Sequence, residues 1–342
     1  MNVERLTAPA PACDAFVRNH PDGRLCFLPA WTDMAARCGG YTPYHLVARD
    51  EGAVAGVLPL VHVRSRLFGN RLVSQAFVDY GGPLAASDAA RDALVDEAVR
   101  TAEELGCESI ELRNLYAVPR DGLHLRQDKV SMWLPLEADP EKVWAGFNPK
   151  VRNQVRKAEK SGITAEHGGA ELLDGFYEVY TARMRQLGTP CYGRRLMADI
   201  LETFPEHSRL FVVRLDGRAV GGGLTTGFGR FASMLYASTL TEFNRLCPNN
   251  LLYWEAIRYY AAAGIEFFDF GRSTVGGGTH RFKKQWGPQQ VDLHYQYWTP
   301  PGQPLAETSP ESPKYRRKVA VWRKLPLWLT RWLGPRISRG LP

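Results

Sequence analysis

The stretch FFDFGRSTVGGGTHRFKKQWG, residues 267–287, is the most informative part of this chain. Its alternating apolar start predicts a buried strand that ends at Gly271. The run Gly276–Gly278 then predicts a flexible loop, and the basic residues of the stretch lie around it. Glycine allows the conformations in which backbone N–H groups and basic side chains converge on an anion. The stretch therefore favours an anionic-ligand site over the alternative, an exposed hairpin with incidental charge.

A second stretch, NPKVRNQVRKAEKSG at residues 148–162, predicts a basic helix. Proline is favoured at the first helical position and glycine just past the end, so we expect the helix to begin at Pro149 and to stop at Gly162. Val151 and Val155 lie four residues apart and can face a core. On charge alone, a solvated basic helix explains the rest of its surface.

Together the two stretches resemble the FemAB-like proteins, and in particular the FemAB-related group associated with exosortase (PEP-CTERM) and exopolysaccharide loci. Fem proteins carry Phe-Lys-x-Gly-Phe-Gly on a strand and loop near the C-terminus, and residues 282–287 read Phe-Lys-Lys-Gln-Trp-Gly here. The chain departs from that pattern at Gln285 and Trp286. The resemblance covers about residues 25–300 and implies an α/β (α+β) fold of two tandem acetyltransferase-like (GNAT) domains. It also implies transfer of an acyl or aminoacyl group to an amine.

Catalytic roles are predicted for two residues, for Lys283 from the resemblance and for Asp269 from its position where the predicted strand enters the site. Lys283 would contact the donor and stabilise developing negative charge. Asp269 would take a proton from the attacking amine or orient Arg272, and a structural salt bridge is the equal alternative. Tyr236 and Tyr253 are weaker candidates for a proton relay. Substrate or phosphate binding is predicted for the remaining basic and polar residues of the two stretches, namely Arg272, Arg281, Lys284, Arg152, Asn153, Arg156 and Trp286.

The implied reaction needs no enzyme nucleophile, because the amine attacks the ester or thioester directly. Positioning alone can supply about 7–11 kcal/mol of the acceleration. GNAT enzymes that use acetyl-CoA hold its diphosphate on glycine-spaced amides before a helix, and neither Thr239–Asn250 nor Tyr80–Pro83 has that spacing. The donor therefore stays open between aminoacyl-tRNA and acyl-CoA. No tightly bound cofactor and no metal are expected.

Three functions remain open at this point. The first is a Fem-like transferase that acylates a saccharide or peptide amine of a cell-envelope or exopolysaccharide precursor. The second is an ordinary acyl-CoA-dependent N-acyltransferase. The third is a non-catalytic protein that binds a lipid- or nucleotide-linked saccharide, which the altered ending at residues 282–287 motivates.

Length and composition suit two globular domains, since the chain has 342 residues with 44% hydrophobic and 23% charged. We expect an N-terminal GNAT-like domain at 1–138, a C-terminal one with the site at 139–300, and a Pro-rich linker with a basic tail at 301–342. Residues 291–298 are expected to close the second sheet. Six scattered cysteines predict buried thiols, and the sequence shows neither a signal-peptide pattern nor a membrane-length apolar run, so we expect a cytoplasmic protein.

The tail holds the positive charge of the chain. Residues 314–339 contain nine basic and no acidic side chains, and subtracting these nine charges from the net +7 leaves −2 for the rest. Tryptophan and leucine alternate with the basic residues, which suits an anionic inner-membrane surface. Docking onto the protein body is the equal alternative. Pro326 predicts that the tail forms two short helices.

Overall fold

The computed structural model describes residues 1–6, 11–65, 68–305 and 313–340. In chain order its strands are β1 (Asn2–Leu6), β2 (Thr42–Asp50), β3 (Ala53–Ser65), β4 (Gly69–Val73), β5 (Leu84–Ala85), β6 (Ser109–Asn114), β7 (Leu123–Arg126), β8 (Lys129–Pro135), β9 (Thr164–Gly168), β10 (Ser208–Leu215), β11 (Arg218–Phe228), β12 (Phe231–Thr239), β13 (Phe267–Asp269), β14 (Ser273–Thr274), β15 (Gln289–Asp292) and β16 (His294–Trp298). Its α-helices are α1 (Pro11–Asn19), α2 (Pro29–Gly39), α3 (Asp88–Glu104), α4 (Pro140–Gly146), α5 (Pro149–Lys160), α6 (Leu173–Leu187), α7 (Arg194–Thr203), α8 (Pro248–Ala262), α9 (Gly278–Lys284), α10 (Pro313–Lys324) and α11 (Leu327–Ser338).

The chain divides into two compact units. The first unit comprises Met1–Ser131, Val291–Glu307 and Arg339–Pro342, and the second comprises Met132–Gln290 and Thr308–Ser338. The predicted boundaries at residues 138 and 300 therefore lie close to the divisions in the structure without coinciding with them. The tail helices α10 and α11 fall within the second unit instead of forming a separate segment.

The first unit is built on a sheet with the order β1–β2–β3–β4–β6–β16–β7, and β5 pairs with β3. Its strands run antiparallel except for the parallel pair β4 and β6. Helix α3 lays Leu94, Val95 and Ala98 on this sheet, where burial of such side chains contributes roughly 1.5–3 kcal/mol for each large one. Ser87 starts the helix, because its hydroxyl accepts a hydrogen bond from the Ala90 N–H.

The expectation that residues 291–298 close the second sheet is wrong for residues 294–298, whereas residues 289–292 form β15, which pairs with β8 of the second sheet. Strand β16 pairs antiparallel with β6 and β7 in the first sheet. In the second sheet the place beside β13 belongs to β8, which comes much earlier in the chain. An alternating apolar pattern predicts a strand but carries no information about which distant strand it will join, so the error has a simple origin.

The second unit is built on a sheet with the order β14–β8–β13–β12–β11–β10–β9, and β15 pairs with β8. Helices α5 and α8 bury their apolar sides in one core with the strands, and Val151, Val155 and Ala158 of α5 are fully buried there. The predicted helix at 149–161 is thus present and ends one residue earlier. Its basic residues lie on the opposite side, as the spacing of its valines indicated.

Two predicted elements differ locally from the structure. The apolar residues at 72–78 predict a strand there, but β4 ends at Val73, because Gln75 and Phe77 adopt positive φ angles of 64° and 67° that break the extended pairing. The flexible loop expected at Gly276–Gly278 is short, since α9 already begins at Gly278.

The tail forms two helices on either side of Pro326, as predicted. Both pack against α6 of the second unit. The Arg331 guanidinium donates to the Thr181 hydroxyl at 2.9 Å, and the Arg185 guanidinium donates to the Leu325 carbonyl at 3.2 Å. In the described parts of the chain, no helix has the length and apolar character needed to cross a bilayer.

Candidate functional site

The turn after β13 is locked by two buried charged side chains. Gly271 adopts a φ of 75°, a conformation that favours glycine. The Asp269 carboxylate accepts the Gly271 N–H at 2.8 Å, and the Lys283 ammonium donates to the Gly271 carbonyl at 2.8 Å and to the Arg272 carbonyl at 3.0 Å. Asp269 is 0% exposed and Lys283 is 7% exposed. The structure thus places both predicted catalytic residues at Gly271, where one side chain bonds its N–H and the other bonds its carbonyl.

Helix α9 presents three basic residues of the first stretch in two different ways. Lys283 points inward to the turn, whereas Arg281 and Lys284 are exposed. The Arg281 guanidinium donates to the Gly276 carbonyl at 2.7 Å and so closes the glycine segment onto the helix. Arg272, on the turn that Lys283 holds, is also exposed. The turn and α9 therefore present positive charge to solvent, and the Asp269 and Lys283 side chains hold the backbone of the turn in place.

The two stretches meet at the start of α5. Asn148 caps this helix, since its side-chain oxygen accepts the Val151 N–H at 3.0 Å. Its side-chain amide donates to the Gln285 carbonyl, just past the end of α9, at 2.6 Å. The neighbouring rings of Phe147 and Trp286 pack edge to face with centroids 5.1 Å apart. Asn148 was not singled out from the sequence, although its place before Pro149 is typical of a helix cap.

Three buried donors of this region have no hydrogen-bond partner. They are the Trp286 indole N–H, the Arg152 Nε–H and the Ser273 hydroxyl. Burying such a group unpaired costs about 1–3 kcal/mol, which an acceptor that reached it would recover. All three can donate, so a ligand that satisfied them would supply acceptor oxygens, as a phosphate or an acyl carbonyl does.

Strands β12 and β13 separate next to the turn. Their parallel pairing covers only Phe231–Ser233 on β12, while β12 continues to Thr239 along β11. A register shift in β11–β12 pairing lies between Leu224 and Thr225, opposite Tyr236 and Met234. Bulges of this kind bend a strand and are frequent beside active sites. The separation opens the sheet at the point where Gly271 follows β13.

The two tyrosines considered as proton relays occupy different surroundings. Tyr253 stacks on Phe270 at 5.4 Å within the core, and burial raises the pKa of its hydroxyl, so the group stays protonated at neutral pH. It cannot act as a general base there. Tyr236 is half-buried on β12, with the rings of Tyr180 and Tyr192 at 6.0 and 5.7 Å. Only Tyr236 therefore remains a candidate.

The junction between β12 and α8 offers few backbone amides to a CoA diphosphate. A 3₁₀ helix, Thr241–Leu246, fills it, and α8 starts at Pro248, which has no N–H. The Asn250 N–H is already donated to the Cys247 carbonyl at 3.0 Å. The poor match seen in the sequence thus has a structural counterpart.

The remaining predicted residues lie on the surface of α5. Asn153 and Arg156 are exposed, Arg152 is half-buried, and the Arg156 guanidinium lies 5.6 Å from the centre of the Trp144 ring. His280, adjacent to Arg281, is buried with its ring 3.3 Å from the Gln290 side chain. Across the residues that the structure describes, no group of three or more His, Cys, Asp or Glu side chains could hold a metal ion.

Comparison with known proteins agrees with this architecture. Residues 147–284 match an acetyltransferase (GNAT) domain family. The lipid II:glycine glycyltransferase of Staphylococcus aureus is 28% identical over 229 residues, which cover 59% of this chain and 53% of that protein. The chain thus spans about half the length of this curated relative.

Solved structures show the same fold. The crystal structure of FemX superposes with a TM-score of 0.68 at 18% identity, covering 86% of this chain and 96% of FemX. A tandem GNAT protein from the clavulanic acid biosynthesis pathway gives a TM-score of 0.50 at 14% identity, covering 89% and 100%. The expected fold of two tandem GNAT domains is thereby confirmed. The chain is thus similar in sequence to a Fem-type glycyltransferase and similar in fold to FemX.

Proposed function

We propose that this protein transfers an acyl or aminoacyl group to an amine of a cell-envelope precursor. The observation that carries the proposal is the junction of the two stretches, where Asn148 ties the start of α5 to Gln285 at the end of α9. This bond joins the start of the basic helix α5 to the residue just past the end of the basic helix α9. A GNAT domain with a Fem-like relative supports the same chemistry.

In this reaction the amine nitrogen attacks the acyl carbonyl carbon, and the bond to the donor oxygen or sulfur breaks. The amine loses a proton and the leaving group gains one. The protein must therefore hold the two reactants in line and stabilise the negative charge that develops on the carbonyl oxygen. We assign that second task to donors of this region, with the Trp286 N–H and the Ser273 hydroxyl as candidates because neither has a hydrogen-bond partner.

Lys283 and Asp269 act here as positioning residues. Their charged groups engage the Gly271 peptide and fix the turn that carries Arg272. We assign contact with the donor to the exposed basic residues around this turn, with Arg272 suited to bidentate phosphate recognition. This refines the sequence-based prediction, in which Lys283 itself contacts the donor.

We favour aminoacyl-tRNA over acyl-CoA as the donor. The β12–α8 junction offers few amides for a diphosphate, whereas the exposed basic side of α5 suits an extended polyanion. Filter binding of aminoacylated tRNA at stepped salt concentrations tests this. Affinity should fall with salt, and Arg156→Gln should lower the slope by about one unit, whereas Arg195→Gln on α7 should not. Tight binding of acyl-CoA without tRNA binding would establish the CoA-dependent alternative.

The acceptor is proposed from the relative, whose name specifies lipid II. A lipid-linked peptide amine is therefore the first acceptor to test. A saccharide amine of an exopolysaccharide precursor is the second, and the same transfer assay with each acceptor distinguishes them.

We also propose that the outer side of the tail contacts an anionic membrane surface. The inner side packs on α6, but Trp328, Trp332 and Val321 are 69%, 54% and 61% exposed. Exposed tryptophan beside basic residues is the composition of interfacial helices. Docking on the body and contact with lipid are thus compatible, since they use opposite sides of the tail, and a lipid-linked acceptor would be presented at that surface.

A further inference from the structure

The two tail helices hold the loop between α6 and α7, residues 188–193, within the second unit. Gly188 ends α6 with a φ of 79°, and a Cβ at this position would lie 2.4 Å from the Val319 side chain of α10. The Arg323 guanidinium donates to the Leu187 carbonyl at 3.2 Å. Helix α10 therefore lies directly on the start of the loop, where glycine leaves room for the contact.

Helix α11 holds the end of the same loop through close backbone contact. A Cβ on Gly334 would lie 2.7 Å from the Cys191 sulfur and 3.0 Å from the Cys191 nitrogen, so any larger residue forces one of the two segments to move. Cys191 is 3% exposed, and its thiol donates to the Thr330 carbonyl at 3.7 Å. Since Thr330 and Gly334 are one helical turn apart, the same side of α11 makes both contacts with the loop.

Two tyrosines of α6 fix the backbone of Tyr192 in this loop. The Tyr180 hydroxyl accepts the Tyr192 N–H at 3.1 Å, and the Tyr177 hydroxyl donates to the Tyr192 carbonyl at 3.2 Å. Burial raises the pKa of both hydroxyls, so both stay protonated at neutral pH. The position of the Tyr192 side chain therefore depends on the loop staying against α6, where the tail holds it.

The Tyr192 ring connects the loop to the opening of the sheet. Its centroid lies 5.7 Å from that of Tyr236, and the Tyr180 ring lies 6.0 Å from the same ring. Tyr236 is three residues beyond Ser233, the last residue of β12 that pairs with β13. The two strands have separated by this point, so Tyr236 lies at the opening beside the candidate site. A continuous series of contacts thus links α11 to Cys191, Tyr192 and Tyr236.

We propose that the tail is a brace of the transfer site, in which α10 and α11 position Tyr192 and, through it, Tyr236. The inference rests on the proposed transfer reaction and adds three positioning residues to it, namely Cys191, Tyr192 and Gly334. It also gives the two sides of the tail different tasks. The side that packs on the loop supports turnover even where no membrane is present, whereas the exposed tryptophans serve only contact with lipid.

Gly334→Ala tests the brace on the full-length protein. Alanine is a better helix former than glycine, so any loss comes from the contact with Cys191 and not from the helix itself. Hydrogen exchange read by mass spectrometry should become roughly tenfold faster in the loop peptide, and adding Cys191→Ala, which removes the sulfur that the methyl meets, should reverse most of this change. Gly146→Ala, where no atom lies within 4 Å of the added methyl, is the matched control. Unchanged loop exchange in Gly334→Ala would overturn the brace, whether or not the protein is active.

Transfer kinetics test the effect on the reaction, with charged tRNA and lipid II of shortened prenyl chain in detergent, so that no membrane contributes. Gly334→Ala should lower kcat about fivefold or more, while the amount of charged tRNA bound at saturation equals that of the wild type. In a Tyr192→Leu background the same substitution should cost less than about twofold, because the contact it acts through is already lost. An active wild type with unchanged or faster turnover in Gly334→Ala would overturn the inference. A wild type that transfers from neither donor would contradict the proposed reaction, and loop exchange would then decide the brace alone.

Discussion

Replacing Lys283 by methionine tests the turn around Gly271 most sharply. Methionine keeps the length of the side chain but cannot donate, so the carbonyls of Gly271 and Arg272 lose hydrogen bonds of 2.8 and 3.0 Å. Hydrogen bonds to charged groups contribute about 1.5–3 kcal/mol each. The variant no longer pays to desolvate an ammonium, which offsets part of the loss. We therefore expect the free energy of unfolding to fall by roughly 3 kcal/mol.

Urea unfolding followed by tryptophan fluorescence measures this loss, and the neighbouring residue provides the control. Lys284 is exposed and adjacent, so Lys284→Met makes the same chemical change without removing a buried contact. It should change stability by less than about 0.5 kcal/mol. If both variants unfold at the same urea concentration with the same slope, Lys283 does not hold the turn and our assignment of its role is refuted.

Three further predictions concern other parts of the chain. Asn148→Ala should lower the free energy of unfolding by about 1–3 kcal/mol, because it removes both the cap of α5 and the hydrogen bond to Gln285. Asn148→Asp should retain the cap, and chemical denaturation of the two variants compares their stabilities. Trp328→Ser combined with Trp332→Ser should weaken sedimentation with phosphatidylglycerol vesicles at least tenfold, and unchanged binding would exclude the tail as the contact. Cys107 should stay unlabelled by a thiol reagent at pH 8 in the folded protein, since burial raises the pKa of its thiol to about 11 and keeps it protonated. Mass spectrometry reads the labelling, and a label on Cys107 before the protein unfolds would contradict this prediction.

Local signals in the sequence were sufficient for most elements. For α3 the sequence predicts a cap at Asp88 and an end near Leu105, and the structure has the helix at Asp88–Glu104 with Ser87 as its cap; α5 likewise ends within one residue of its prediction. Cap residues, periodic apolar positions and glycine stops act over a few residues, so they are readable without knowledge of the rest of the fold. The break of the tail at Pro326 was predictable for the same reason.

Pairings between distant segments were not readable in this way. Nothing local in residues 294–298 indicates that β16 joins β6 and β7 in the first sheet. The inward position of Lys283 is similar, because it depends on α9 starting at Gly278 and turning this side chain toward the Gly271 carbonyl. The resemblance supplied the lysine, and only the structure shows which atoms it touches.

The structure shows which residues of the two stretches are exposed, and their roles in binding stay predictions. Arg272, Arg281 and Lys284 are exposed around the turn, where they are accessible to an anion. The unpartnered Ser273 hydroxyl and the connecting role of Asn148 were missed, since neither residue type is distinctive outside its tertiary surroundings.

The most direct test of the account measures transfer itself. Purified protein is incubated with lipid II and either radiolabelled aminoacyl-tRNA or acetyl-CoA, and the acceptor is examined for the new amide by mass spectrometry. The account predicts an aminoacylated product with charged tRNA, formed at least tenfold more slowly by Arg272→Ala, with Arg195→Gln retaining the full rate. Absence of product from both donors with folded protein, or an unchanged rate in Arg272→Ala, would contradict it.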